Sequence, residues 1–377
     1  MIFGIPKLND KDNEVIASIE ESKQKLRYNT ATSPKRWYGL LRRTTLARNI
    51  QGSNSIEGLD ISRNDAIAAV AGIEPIDDPK DEAIKANRSY GIAMTYVLQL
   101  ADDPYFSYSS ALIKSLHYMM LEYDLTKSPG KWRPGHINVF DEEKRQVVYE
   151  GPDADLVPSL MDELVTFLND SEKKVGRIVV AAMAHLNLVM IHPFRDGNGR
   201  MGRCLQTLVL ATDGISLDPV FSSIEEYLGR NSRSYYDILG KVGAGKWHPD
   251  RDAAEWVRFC LVAHSIQIQK FLRRIRTMMR LWDILEQEVK TIGLPERVVS
   301  ALTDAAMGIK VRNSTYRAAV ESISDQVASR DLKDMVDKGL LIAFGTARGR
   351  YYDGSEKVKK IFTDSIDKTE IKSPYQP

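Results

Sequence analysis

The sequence predicts a mainly α protein: a helical core carrying one β-hairpin, followed by a C-terminal winged helix-turn-helix domain. Three observations lead there. Long segments place apolar residues at three- and four-residue spacing, the period of a helix with one buried face. One stretch, KSPGKWRPGHINVFDEEKRQVVYEGP, breaks that habit with Pro-Gly punctuation and two β-branched, aromatic runs. From about residue 293 the pattern becomes helix, turn, helix and two short strands.

The helical segments run from EVIASIEESKQKL through AIKANRSYGIAMTYVLQL, SALIKSLHYMML, LVPSLMDELVTFLND and RIVVAAMAHLNLVMI to AAEWVRFCLVAHSIQIQKFL. Between the first two lies RRTTLARNIQGSNSIEGLDIS, where Ser53 and Glu57 are four apart and share a face if the helix continues through them. Gly58 is placed to end that helix. A glutamate at the negative end of a helix dipole is disfavoured, so its carboxylate is better stabilised by a cation from elsewhere. The hairpin pairs INVF with QVVY around DEEKR; a lone hairpin is marginally stable, so this one is expected to lie over another surface. Near the end, Asp325 to Lys338 reads as the second helix of the winged helix, Leu340 to Tyr352 as its wing, and KTEIKSPYQP as a flexible tail.

The 377 residues are enough for two or three domains, and 43% hydrophobic with 27% charged residues is ordinary for a globular chain. A net charge of +1 excludes a polyanion binder over the whole surface; any basic face must be local. Cys204 and Cys260 sit in apolar helical contexts without ligand spacing and read as core residues of a reduced protein. No stretch approaches the roughly 18 apolar residues of a membrane span. MIFGIPKLNDKDNE lacks a basic-then-apolar leader pattern, so a cytoplasmic location with no membrane partner is expected.

The chemistry concentrates in HPFRDGNGRMGR, His192 to Arg203, set between two apolar helical segments. Gly197 and Gly199, flanking Asn198 at a helix start, let successive N–H groups point into one concavity backed by the positive end of the helix dipole. Arg200 and Arg203, three apart, lie on nearly one face there, and each guanidinium can grip phosphate oxygens bidentately. Asp196 beside a phosphate calls for a hard cation such as Mg²⁺. His192 suits a general base, and Phe194 an anchor in the core. Taken singly, these are a cap, a turn and two solvated arginines. Together they supply base, metal ligand, anion nest and two phosphate grips for one reaction on a di- or triphosphate.

HPFRDGNGRMGR resembles the signature of the Fic family at every specified position: His-x-Phe-x-(Asp or Glu)-Gly-Asn-Gly-Arg-x-x-Arg. Members typically transfer AMP from ATP to a hydroxyl side chain of a protein. The resemblance implies a helical Fic core over 106–280, preceded by an N-terminal helical region, 1–105, and followed by a winged-helix domain, 281–362, and a tail, 363–377. It assigns His192 as the base, Asp196 as the Mg²⁺ ligand and Gly197, Asn198 and Gly199 as the α/β-phosphate cradle. Arg200 would hold the phosphates and Arg203 the γ-phosphate of ATP. The hairpin from Arg133 to Val148 resembles the family's flap, which binds a target segment strand to strand. SNSIEG matches the family's inhibitory-helix motif, (Ser or Thr)-x-x-x-Glu-(Gly or Asn), and by that likeness Glu57 pairs with Arg203 where the γ-phosphate would sit. SRSYYDILGKVGAGKW resembles the segment that closes over adenine, with Tyr235 and Tyr236 as nucleotide-binding candidates; Tyr235 reads equally as core. Gly243 stands where some relatives carry an adenine-contacting Asn.

The expected function is therefore that of an autoinhibited protein adenylyltransferase acting on Ser, Thr or Tyr of a target protein and on itself. Removal of AMP, or transfer from another phosphate-containing donor, is the alternative on the same scaffold. A DNA-binding regulator with a nucleotide-sensing core is the third reading, disfavoured because sensing needs no His192. Arg330, Lys333, Lys338, Arg348 and Arg350 could meet DNA phosphates, but Asp325, Asp331, Asp334 and Asp337 share the same helix. Docking to protein, or homodimerisation, is favoured over nucleic acid.

Overall fold

The computed structural model describes residues 1–32, 35–75, 80–101, 103–141, 145–170, 176–212, 218–320, 323–346 and 349–375. At the centre, α7 (Arg177–Ile191) and α8 (Asn198–Ala211) pack as a pair and are buried almost all round. A helix without a polar face belongs inside a larger core. Around the pair stand α1 (Asp10–Thr32), α2 (Lys35–Ser55), α3 (Arg63–Ala71), α4 (Asp81–Leu100), α5 (Ser110–Leu121), α6 (Val157–Asp170), α9 (Glu225–Arg230), α10 (Ser232–Gly243) and the 38-residue α11 (Ala254–Thr291).

Polar groups inside this core are joined to one another. His185 Nδ1 donates to Gln206 Oε1 at 2.6 Å, so its Nε2 accepts from the Tyr235 hydroxyl at 2.9 Å. Burial pushes the His185 pKa down to about 3, which keeps the ring neutral. Helix α2 crosses α9 at two glycines. A Cβ built on Gly52 would lie 2.7 Å from the Glu225 carbonyl oxygen, and one on Gly229 would lie 2.5 Å from that of Gly52. Only hydrogen fits at either position.

The hairpin forms as β1 (Asn138–Asp141) antiparallel to β2 (Gln146–Glu150), with Val139 opposite Tyr149; residues 142–144 of the predicted turn lie outside the described set. It is fastened to the helical body, as a lone hairpin must be. Glu150 exchanges backbone bonds with Gly245 at 2.9 Å and Trp247 at 3.1 Å, and the Tyr149 hydroxyl donates to the Met190 carbonyl at 2.8 Å. Phe140 and Val147 remain exposed on its outer side.

After α11 come α12 (Val298–Ala306), α13 (Asn313–Ala319), α14 (Asp325–Asp337), the antiparallel pair β3 (Leu341–Phe344) and β4 (Tyr351–Gly354), and α15 (Glu356–Ser365). Helix α11 runs unbroken through the expected boundary at residue 280. Its second half, with Phe271, Ile275 and Leu281, shares one apolar cluster with Leu40 and Leu41 of α2 and with Leu302, Leu332 and Met335. Asp331 does not point outward from α14. It is buried, takes both Nε and a terminal nitrogen of Arg297 at 2.7 and 2.8 Å, and accepts from the Tyr316 hydroxyl at 3.0 Å. Arg348 lies outside the described residues. The segment expected as a flexible tail is instead held down through residue 375. Asp367 pairs with Arg276, the Lys372 carbonyl accepts from Gln269 at 2.8 Å, and the Tyr375 hydroxyl donates to Asp12 at 2.8 Å. No helix among the described residues is long and apolar enough to cross a membrane.

Candidate active site

Helix α7 stops at His192, which takes the left-handed conformation (φ 51°) that ends a helix, its N–H returning to the Leu188 carbonyl at 3.0 Å. A non-glycine residue there stores on the order of 1 kcal/mol or more, and the surroundings must hold it. Arg133 does so. Its Nε donates to the His192 carbonyl at 2.8 Å, one terminal nitrogen to Gly135 at 2.6 Å and the other to Pro152, while its backbone N–H reaches Pro193 at 2.9 Å. One buried guanidinium thus ties the hairpin's root to the backbone of the loop. The His192 ring donates from Nδ1 to the Val189 carbonyl at 3.0 Å, which leaves the lone pair on Nε2. Burial first, and then the charge of Arg133, hold the ring below its ordinary pKa, against the opposing pull of the Val189 bond, Glu57 and Asp196. The ring is neutral at pH 7 and competent as a base.

The loop is closed by Asn198, whose side chain both accepts from the Phe194 N–H and donates to the Phe194 carbonyl, each at 2.9 Å. Asn198 therefore serves the loop's shape with its side chain and offers only its backbone to a ligand. Phe194 is fully buried and stacks on His117 with centroids 3.5 Å apart. His117 Nδ1 accepts from the Gly130 N–H at 2.9 Å, so Nε2 carries the proton and donates to the Asp196 carbonyl at 2.8 Å. Nothing local marks this role: in SALIKSLHYMML the histidine falls on the buried stripe of a helix and looks like any core position.

Gly197 adopts φ 75°, and a Cβ on it would come within 2.8 Å of Leu121. The first backbone bond of α8 runs from Met201 to Gly197 at 2.9 Å, so the amides of Asn198, Gly199 and Arg200 precede the helical ladder and face the concavity. The Asp196 carboxylate accepts from the Gly197 N–H at 2.6 Å and meets Lys127 at 3.1 Å. Burial by itself would raise its pKa; the bond to Lys127 and the charges of Lys127 and Arg200 outweigh it, and the group is held ionised.

On the far side of the loop, the last turn of α2 ends in paired reverse bonds, Leu59 N–H to Asn54 O at 3.1 Å and Gly58 N–H to Ser55 O at 3.1 Å, with Gly58 at φ 73°. This closure makes Glu57 the capping residue just beyond the regular helix, with Gly58 ending the helix as its position in the sequence predicts. Its Oε1 lies 2.6 Å from a terminal nitrogen of Arg203. The same nitrogen donates to the Ser53 carbonyl at 3.0 Å, and Arg203 Nε donates to the Ser53 hydroxyl at 2.8 Å. Burial would lower the Arg203 pKa, but Glu57 and its neighbours raise it, so the guanidinium stays charged. Its other terminal nitrogen and Nε of Arg200 are buried without a hydrogen-bond partner among the described residues. Such atoms are costly unless something binds them. Gly199 abuts the pair: a Cβ there would stand 2.6 Å from Glu57 Oε1 and 3.2 Å from Arg203.

Structure thus brings His192, Asp196, Gly197, Asn198, Gly199, Arg200, Arg203, Ser53 and Glu57 to one place. It separates the two tyrosines. Tyr236 is half exposed and donates to the Ile56 carbonyl at 3.3 Å, beside Glu57. Tyr235 is 1% exposed, with its hydroxyl committed to His185 and its ring against Trp256. It is a core residue, and its assignment to nucleotide binding is corrected, because no ligand reaches it without opening the core. Gly243 is also buried, its missing Cβ replaced by the Met190 thioether 3.0 Å away.

Residues 107–210 match the model of the Fic/DOC family. "Protein adenylyltransferase Fic" of Nematostella vectensis is 26% identical over 256 residues, 65% of this chain and 54% of that protein. "Protein adenylyltransferase fic-1" of Caenorhabditis elegans is 31% identical over 118 residues, 31% of this chain and 21% of that protein. The chain therefore spans about half or less of these curated relatives. Among solved structures, a Fic family protein from Desulfovibrio desulfuricans G20 superposes with TM-score 0.59 at 21% identity, covering 94% of this chain and 99% of that one. Residues 134–508 of Fic-1 from C. elegans give TM-score 0.56 at 20% identity, covering 71% and 73%. With the loop, cradle and helical pair arranged as described, residues 107–210 carry the likeness to the Fic/DOC family, and the surrounding fold is that of these Fic-family structures.

Proposed function

We propose that this protein is an adenylyltransferase, moving AMP from ATP to a Ser, Thr or Tyr hydroxyl of a target protein and of itself, and that Glu57 restrains it. The observation that carries the reading is the convergence of a lone pair on His192 with the α8 amide nest and the Arg203 guanidinium. His192 Nε2 takes the proton as the hydroxyl oxygen bonds to the α-phosphorus; the bond from that phosphorus to the bridging oxygen breaks and pyrophosphate leaves. In-line attack requires the leaving group to be held rigidly, which the nest and the arginines can do. Asp196, ionised and 41% exposed, suits a Mg²⁺ shared with the phosphates, given that the ion replaces Lys127 on the carboxylate. When bound, such an ion would neutralise charge developing on the pyrophosphate.

The exposed Phe140 and Val147 support a target segment lying along the hairpin. The elements from α12 to β4 have the order of a winged helix. The outward acidic residues of α14 support protein docking or homodimerisation over DNA, although Asp331 is not one of them. The chemistry needs no membrane, and ATP supply suits the cytoplasm. Incubation of the protein with ATP, Mg²⁺ and cell lysate, followed by mass spectrometry of modified peptides, tests the reading. An AMP adduct on hydroxyl residues is expected; loss of AMP from a pre-modified protein, or a different adduct, would replace it with one of the alternatives.

A further inference from the structure

A second cleft lies away from the loop, between α2, the middle of α11 and the segment that follows α15. It encloses about 340 Å³, within the lower range of small-molecule sites. Arg48, Arg230, Lys270, Arg273 and Arg274 line it. Among the described residues, two carboxylates answer them. Glu226 is buried and receives both terminal nitrogens of Arg274 at 2.5 and 2.6 Å and one of Arg230 at 3.1 Å. Asp367 is taken by Arg276, and only its backbone carbonyl accepts from Arg273, at 3.0 Å. Arg48 is left with Glu226 at 3.9 Å, too far for a hydrogen bond. Lys270 has the Tyr227 ring 5.7 Å away, and its amine makes no ion pair among the described residues.

Positive charge is therefore in excess inside a partly buried space, an arrangement that costs energy until an anion enters. The strain shows in Arg48. Burial first, then the charges of Arg274 and Arg63, push its pKa down to about 9, with Glu226 opposing. The other wall is apolar, built by Leu41, Met278, Leu281, Phe362 and Ile371.

We propose that this cleft is a binding site for a small phosphate ester, whose phosphate meets Arg48, Arg230 and Lys270 while its apolar part packs on Leu281 and Phe362. Guanidinium forks and an ammonium are suited to phosphate, and the apolar wall selects an ester over the free ion. The site is separate from the candidate active site, although both draw on α2: Arg48 precedes Ser53 by five residues, about 7.5 Å along the helix.

Lys270 offers a local readout. Its rate of acetylation in the full chain, followed by mass spectrometry, is measured with inorganic phosphate and with phenyl phosphate, against chloride at equal ionic strength. Phenyl phosphate is expected to slow Lys270 labelling about tenfold at saturation, at a lower concentration than inorganic phosphate. Arg48→Gln and Arg230→Gln, the latter at a largely exposed side chain, are expected to abolish the protection while the thermal transition persists. Unchanged labelling of Lys270, or protection that survives in both variants, would overturn the site. Equal protection by the two phosphates would overturn its preference for an ester.

Discussion

Glu57 Oε1 stands 2.6 Å from the terminal nitrogen of Arg203, a residue 146 positions later in the chain. The two meet because α2 ends in a glycine-closed turn that points the capping carboxylate down onto the start of α8. A carboxylate and a terminal phosphate are both anionic oxygen clusters suited to a guanidinium fork, so on the proposed reading they would compete for one Arg203. Glu57→Gly is expected to raise AMP incorporation at least about tenfold, since an ion pair worth roughly 1.4 kcal/mol in the competition corresponds to that factor. His192→Ala in the same background should return incorporation to the blank. Radiolabel counting of the protein and of lysate targets reads both, and equal labelling of wild type and Glu57→Gly would remove Glu57 from the account.

The His192 ring is held below the ordinary 6.5 of histidine, chiefly by burial. A base works in its neutral form, so activity is lost only when pH falls through the depressed value. The acid limb of kcat/KM in Glu57→Gly is expected below 6.5. Glu57 itself raises the ring's pKa, and its removal should move the limb further down rather than up. A limb above 7 would mean that some other group carries the proton.

His117 predicts an effect on stability. Burial holds its folded pKa at about 4, against 6.5 ordinarily, so between those values the unfolded chain binds the extra proton. Its share of stability is complete above 6.5 and is lost as pH falls toward 4, where the ring that props the Asp196 carbonyl charges. The loss from this group is on the order of 3 kcal/mol. Denaturant unfolding of the wild type from pH 7 to 4 should show it, and His117→Gln, less stable at pH 7, should show a shallower slope. Parallel slopes would place the acid sensitivity on other groups.

How much of this was legible depended on whether a residue's task is local. The glycines at 197 and 199, the start of α8 and the glycine stop after Glu57 are encoded within a few positions and are legible there. Arg133 was visible only as the start of a hairpin, because its partners, His192, Pro193 and Pro152, are brought to it by the fold. Tyr235 and Tyr236 are adjacent in a helix and chemically alike; the 100° between them puts one hydroxyl on His185 and the other on Ile56, and which faces inward is fixed by α11, not by local sequence. The same holds for Asp331, whose partner Arg297 sits 34 residues earlier.

The crossing of α2 and α9 tests whether the position of α2 sets the restraint. A Cβ at Gly52 would lie 2.7 Å from the Glu225 carbonyl oxygen and 2.9 Å from Glu226 Cα, backbone atoms that cannot turn aside. Gly52→Ala must therefore push the helices apart, at a cost of about 1–3 kcal/mol. Ser53, the next residue, bonds Arg203 through both its hydroxyl and its carbonyl, so the shift falls directly on the contact that also seats Glu57. AMP incorporation is expected to rise toward the level of Glu57→Gly even as the melting temperature drops. Gly39 on the same helix is the control: a Cβ there meets nothing within 4 Å, and Gly39→Ala should stabilise by about 0.5–1 kcal/mol with incorporation unchanged. If Gly52→Ala lowers stability but labels as the wild type does, the carboxylate holds Arg203 wherever α2 sits, and helix position has no part in the restraint.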